Sequence, residues 1–171
     1  QKPEPKFVSV DSFSRTGGGK GVHATIRGNE WDVALDETAG SWVCANADFA
    51  RSVSVEQGQY ARLCFEMNRL PDGDGNFHDH ATPQFRLCGR DESGKIVFGD
   101  WRVPMRKRGG WAFRTDGDPE TWEPVCVELD AKSLPGEMRQ VIAIAVQFQM
   151  MPAEHSGLAF RGIRLEEAVG E

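Results

Sequence analysis

A single tyrosine, four histidines and no apolar run near the roughly 18 residues of a membrane-spanning helix mark this chain by what it has little of. The missing run excludes a helical span. No GxSxG elbow and no HExxH pair is present, and Gly17-Gly18-Gly19-Lys20 continues with Gly21 where a Walker loop needs Ser or Thr. Carboxylates are numerous, but no pair stands out as the acid and base of a glycosidase. Jelly-roll lyases draw on a Tyr with nearby His, Arg and Gln, and here Tyr60 is the one tyrosine available. The chain therefore reads as a non-enzyme, with a small lyase or hydrolase as the remote alternative. CxxC is absent among Cys44, Cys64, Cys88 and Cys126, which excludes a zinc ribbon or a thioredoxin site. Buried free thiols are the expected state of these cysteines, with cross-strand disulfides if the protein is exported. A net charge of −6 speaks against nucleic acid as the partner.

What is there is strand and turn. Period-two alternation runs through Ala61-Leu63-Phe65-Met67, through Phe85-Leu87, through Val125-Val127-Leu129, and through Ile142-Ile144-Val146-Phe148-Met150. Further strands are predicted over 7–13, 22–27, 31–36, 41–49, 95–103 and 157–166. The 19 glycines and 9 prolines supply turns at Arg15–Gly19, Pro71–Asn76, Asp91–Gly94 and Asp116–Pro119. One short helix is predicted at Ala131–Leu134, stopped by Pro135-Gly136. About ten strands without a long helix predict an all-β, antiparallel two-sheet sandwich. It would form one domain over 7–167, with a tether at 1–6 and a tail at 168–171. At 171 residues such a domain needs neither metal nor disulfide to fold. The start at Gln1, without Met or a signal-like segment, slightly favours a secreted or cell-surface protein.

The last third resembles a known family. Thr121-Trp122-Glu123-Pro124-Val125-Cys126-Val127-Glu128-Leu129 is similar to the W-x-x-V-x-V-x-L strand of galactose-binding-like jelly rolls. The Val141–Gln149 strand follows, and Gly157–Leu165 resembles the closing strand of many carbohydrate-binding modules. The resemblance implies a jelly-roll sandwich, a non-catalytic glycan-binding role, and a core position for Trp122. In many such modules the closing strand gives an Asp to a structural calcium, and Arg161-Gly162 stand there instead, although Asp11 could still belong to such a site.

Three features carry candidate chemistry. In the loop from Asp72 to His80, Asp72, Asp74, Asn76 and Asp79 could offer oxygens to a calcium ion. A solvated Gly-rich turn is the plainer reading of the same residues, and His78 with His80 could suit a softer ion. Between Arg102 and Arg114 five positive charges occur without an acidic residue, interleaved with Trp111 and Phe113 and preceded by Trp101. Indole faces suit the C–H side of a pyranose and Arg grips carboxylate or sulfate, so Trp101, Trp111, Arg106 and Arg108 are candidate ligands for a glycan. A solvated basic loop paired with the acidic stretch 116–123 accounts for them equally well. Third, Arg62, Glu66, Arg86, Gln147 and Gln149 point away from the predicted core and would converge on one concave groove. A plain solvent-facing sheet is the competing reading. Trp31 and Trp42 begin strands and could serve core or site.

The functional expectation is a polysaccharide-binding module, for an acidic chain (uronate or sulfated), appended to a carbohydrate-active enzyme or a cell-surface protein. The alternative is a structural or protein-interaction sandwich.

Overall fold

The structure, a computed structural model, describes residues 4–77, 82–104, 122–149 and 157–168. Eleven strands occur among them: β1 (Phe7–Ser9), β2 (Phe13–Gly18), β3 (Val22–Arg27), β4 (Glu30–Leu35), β5 (Trp42–Ser54), β6 (Tyr60–Leu70), β7 (Gln84–Arg90), β8 (Ile96–Phe98), β9 (Glu123–Glu128), β10 (Gln140–Gln149) and β11 (Gly157–Glu167). They form two antiparallel sheets. One runs β3-β4-β11-β6-β9, with β1 also paired to β11; the other runs β2-β5-β10-β7-β8.

The alternation in the sequence is what closes the two layers on each other. Val43, Ala45, Ala47 and Phe49 of β5 face inward, with Phe85 and Leu87 of β7 and Ile144, Val146 and Phe148 of β10. From the β6 sheet, Leu63, Phe65, Met67, Trp31, Leu158 and Phe160 meet them. The rings interlock: Phe85 lies 4.7 Å from Phe65 and 5.6 Å from Phe160, and Trp31 lies 5.2 Å from Phe160. Trp31 thus belongs to the core, and its indole N–H donates to the Thr16 hydroxyl at 2.8 Å. Each such ring removed from water contributes about 2–3 kcal/mol.

Two bulges set which side chains look outward. In β11, Phe160 and Ile163 both point into the core because Gly162, at φ 63°, adds a step where the register with β6 shifts. In β10 the register with both neighbours shifts between Val141 and Ala143. Val141 is consequently in the core and Ile142 is half-buried, the reverse of the uninterrupted alternation read from the sequence.

Other expectations are corrected. Arg15-Thr16-Gly17-Gly18 is part of β2, not a turn, because it pairs with Asp48 to Ala45 of β5. The segment 131–134 is a turn closed by Leu134 N–H to Asp130 C=O at 2.8 Å, not a helix. The strand expected over 95–103 ends at Phe98. Cys64 and Cys126, directly opposite each other in β6 and β9 with Cα atoms 4.1 Å apart, form a disulfide, while Cys44 and Cys88 are free. Trp122 is not in the core. It is half-buried with the Arg161 guanidinium stacked 4.2 Å from its ring centroid.

Candidate binding trough

The outer face of the β10 sheet is hollowed by its own sequence. With Ile144, Val146 and Phe148 committed to the core, β10 turns Ala143, Ala145 and Gln147 outward, and two of these are the smallest side chain that still fixes a strand. Neighbouring strands build the walls in rungs. Asp48 of β5 and Cys88 of β7 flank Ala143, Asn46 and Arg86 flank Ala145, and Cys44 and Gln84 flank Gln147. Phe98 of β8 extends the first rung past Cys88, and Arg15 of β2 extends it past Asp48. The result is a trough of about 600 Å³ walled by Phe98 and Trp101 on one side and by Asn46 and Asp48 on the other.

Trp101 is held by bonds made on both sides of it. Gly99 N–H donates to Leu87 C=O and Asp100 N–H to Lys132 C=O, each at 2.9 Å, while Arg102 and Phe85 exchange two backbone bonds at 2.8 Å. Gly99 is required for this approach, since a Cβ there would sit 2.0 Å from the Ser133 carbonyl oxygen. The Arg102 guanidinium then donates to both Asp130 carboxylate oxygens, at 3.1 and 3.0 Å. The backbone N–H groups of Ser133 and Lys132, followed by Arg102, hold the Asp130 carboxyl well below the usual carboxylate range.

Arg86 lies against this aromatic wall, its guanidinium carbon 4.6 Å from the centroids of both Phe98 and Trp101. At the other end of the sheet Gln147 donates to Gln84 at 2.5 Å and accepts from the Cys44 thiol at 3.8 Å. Beyond Cys44 on the same face stands Trp42, 60% exposed and paired with Gln149. Asp48 is the one carboxylate among the described trough residues, and Arg15 pairs with it at 2.8 Å. Burial pushes the Cys88 thiol upward, so it is not a thiolate nucleophile at neutral pH. The arrangement suits holding a ligand by stacking and hydrogen bonds.

The structure brings together only part of the set expected from sequence. Trp101, Arg86 and Gln147 share the trough face. Arg62 and Glu66 do not: they sit on β6, on the outer face of the opposite sheet, where Glu66 accepts from Arg161 at 3.1 Å. Alternation tells which way a side chain points relative to the core, not which of two sheets carries it. Arg106, Arg108 and Trp111 lie outside the described residues, as does the side chain of Gln149. In the acidic loop, the Asp72 carboxylate accepts from the backbone N–H of Asp74 and of Asn76, both at 2.9 Å, and so closes its own turn. Asp79 is outside the described residues, and no group of three His, Cys, Asp or Glu that could hold a metal occurs within them. Phe98, Asn46 and Arg15 went unread as site residues. Trp42 carried a usable signal, because it is in phase with Cys44, Asn46 and Asp48, the outward positions of β5.

No protein-family model matches the chain, and no curated protein matches it either. Solved structures do. A family 11 carbohydrate-binding module from Clostridium thermocellum, in complex with a β-1,3-1,4-mixed-linked tetrasaccharide, superposes with a TM-score of 0.51 at 10% identity, covering 99% of this chain and 100% of its own. A low-affinity xylan-binding module from the gut symbiont Roseburia intestinalis gives 0.52 at 10% identity, covering 97% of each chain. At that identity the likeness is one of fold, and the fold is the jelly-roll sandwich on which these carbohydrate-binding modules are built.

Proposed function

We propose that the chain is a non-catalytic polysaccharide-binding module whose site is the trough on the β10 sheet. The observation that carries the reading is the conjunction there of a shallow alanine floor, the Phe98 and Trp101 side chains and a row of amide and guanidinium donors, with Trp42 farther along the same face. Phe98 and Trp101 in the trough and Trp42 farther along the same face present flat faces to pyranose C–H groups, and Asn46 in the trough, with Gln84 and Gln147 beyond it, supplies planar donors and acceptors for hydroxyls. The span from β8 to β5 is on the order of 15 Å, the width of a few sugar units. Arg15, Arg86 and Arg90 against Asp48 make the trough positive in a chain of net charge −6, which suits an acidic chain, uronate or sulfated. The fold shared with glycan-binding modules supports the same reading. A Cys64–Cys126 disulfide fits an oxidising compartment, and with it a secreted or cell-surface protein that accompanies a carbohydrate-active enzyme.

The test is affinity electrophoresis and calorimetry against a panel of neutral and acidic polysaccharides. Trp101→Ala and Trp42→Ala are each expected to weaken binding about 5- to 50-fold, in the range of a lost stacking contact. Arg62→Ala, on the opposite sheet, is expected to leave it unchanged. A second reading rests on the exposed apolar side chains Ile96, Phe98, Trp42 and Val103, which would also suit a protein partner. Absence of binding to every polysaccharide would favour that alternative.

A further inference from the structure

We infer that Arg86 sets the ligand class of the trough, selecting sugars that bear a carboxylate or other oxyanion over neutral ones; this rests on the glycan reading above. Arg86 makes no hydrogen bond or ion pair among the described residues, and its Nε is buried with no acceptor. A guanidinium cannot discard its charge, so among the described residues this is a partly desolvated cation without a counter-charge. The carboxylate that could have served, Asp48, is held by Arg15 at 2.8 Å. Arg90, beyond Cys88 on the same strand, has its own acceptor in the Gly94 carbonyl oxygen at 2.9 Å.

The surroundings of Arg86 fix its plane without using its donors. Both ring centroids lie 4.6 Å from its central carbon, and Trp101 is itself bonded in place through Gly99, Asp100 and Arg102. A planar cation held by ring faces keeps its N–H edge for a ligand, and the ordering cost is met before binding. Opposite Arg86 on β10 is Ala145, whose methyl leaves room beside that edge. A hydroxyl would satisfy one N–H and leave the charge uncompensated. A carboxylate brings two coplanar acceptors and neutralises it. A sulfate ester also offers two oxygens and a negative charge, so the contrast the guanidinium makes is between charged and neutral sugars.

The experiment compares polygalacturonate, its fully methyl-esterified form, xylan and dextran sulfate by calorimetry on the whole chain. The esterified polymer keeps the sugar backbone and removes the charge. The expected result is that polygalacturonate binds about 10- to 100-fold more tightly than the esterified form. Arg86→Gln abolishes that difference while melting at the wild-type temperature. Arg86→Lys, which keeps charge and loses the fork, falls between. Equal affinity for free and esterified polymer overturns the inference and leaves the glycan reading standing. So does a preference for polygalacturonate or dextran sulfate over neutral polymer that survives Arg86→Gln. Failure of all four polymers to bind overturns the inference, and failure of the whole polysaccharide panel overturns both.

Discussion

Asp32 is 6% exposed, and its Oδ1 is buried without a hydrogen-bond partner, while Oδ2 accepts from Arg27 at 3.3 Å. Burial, and then the neighbouring Glu30 carboxyl, push its pKa from 3.8 up to about 7 against the pull of Arg27. The folded protein therefore holds this proton where the unfolded chain has already lost it. Stability is expected to fall as pH rises from about 4 to about 7, then level off. Asp32→Asn is expected to flatten that slope and to raise the melting temperature at pH 8 by about 2–4 °C, for a gain on the order of 1 kcal/mol. Thermal melts across the pH range check both. At this same scale, sequence patterns turned Trp101, Arg86 and Gln147 outward, and the structure has them on one outer face, because their phase or aromatic type was visible. They could not separate Arg62 and Glu66 from them, because in-or-out phase is a local property and sheet membership is not.

At the scale of elements, the segment 99–102 and the turn 130–134 act as one device. Asp130 touches nothing in the trough, yet its bond to Arg102 and the backbone pairing behind it fix where Trp101 stands. It is a positioning residue. Asp130→Asn retains an acceptor for the N–H groups of Lys132 and Ser133 and loses the charged pair to Arg102. The expected outcome is a melting temperature within about 2 °C of wild type with glycan affinity down several-fold. A change in melting temperature with unaltered affinity would show a purely structural role. The covalent element is checked separately. Thiol titration of the unfolded, unreduced protein is expected to find Cys44 and Cys88 and not Cys64 or Cys126, and reduction is expected to cost about 2–4 kcal/mol. Local propensity misread two of these elements. The glycines of β2 were read as a turn, while pairing to β5 makes them strand, and 131–134 was read as a helix, while the Asp130 carboxylate, accepting from the backbone N–H groups of Lys132 and Ser133, holds a turn there. The disulfide depends on β6 and β9 being adjacent, which spacing along the chain does not encode.

For the whole molecule, strand count, antiparallel pairing and the inward set from Val43 to Leu165 were legible, because two-sheet packing imposes a period of two wherever one face is buried. The two outer faces differ in character. That of the β6 sheet carries paired charges, Arg161 with Glu66 and Arg164 with Glu166, and the disulfide. That of the β10 sheet carries alanines, free thiols, aromatic walls and Arg86, which has no hydrogen-bond or ion-pair partner among the described residues. The β6 face is thus covered by paired charges, whereas the β10 face, beside its Arg15–Asp48 and Gln147–Gln84 pairs, leaves ring faces and the Arg86 guanidinium for the proposed ligand. Heteronuclear NMR of the labelled chain, titrated with a bound oligosaccharide, tests that division most directly. The account predicts that the perturbed amides are those of Asn46, Arg86, Ala143, Ala145 and Gln147, with the Trp101 indole among them. Perturbations centred on Arg62, Glu66 and Arg161 would place the ligand on the opposite sheet and contradict it.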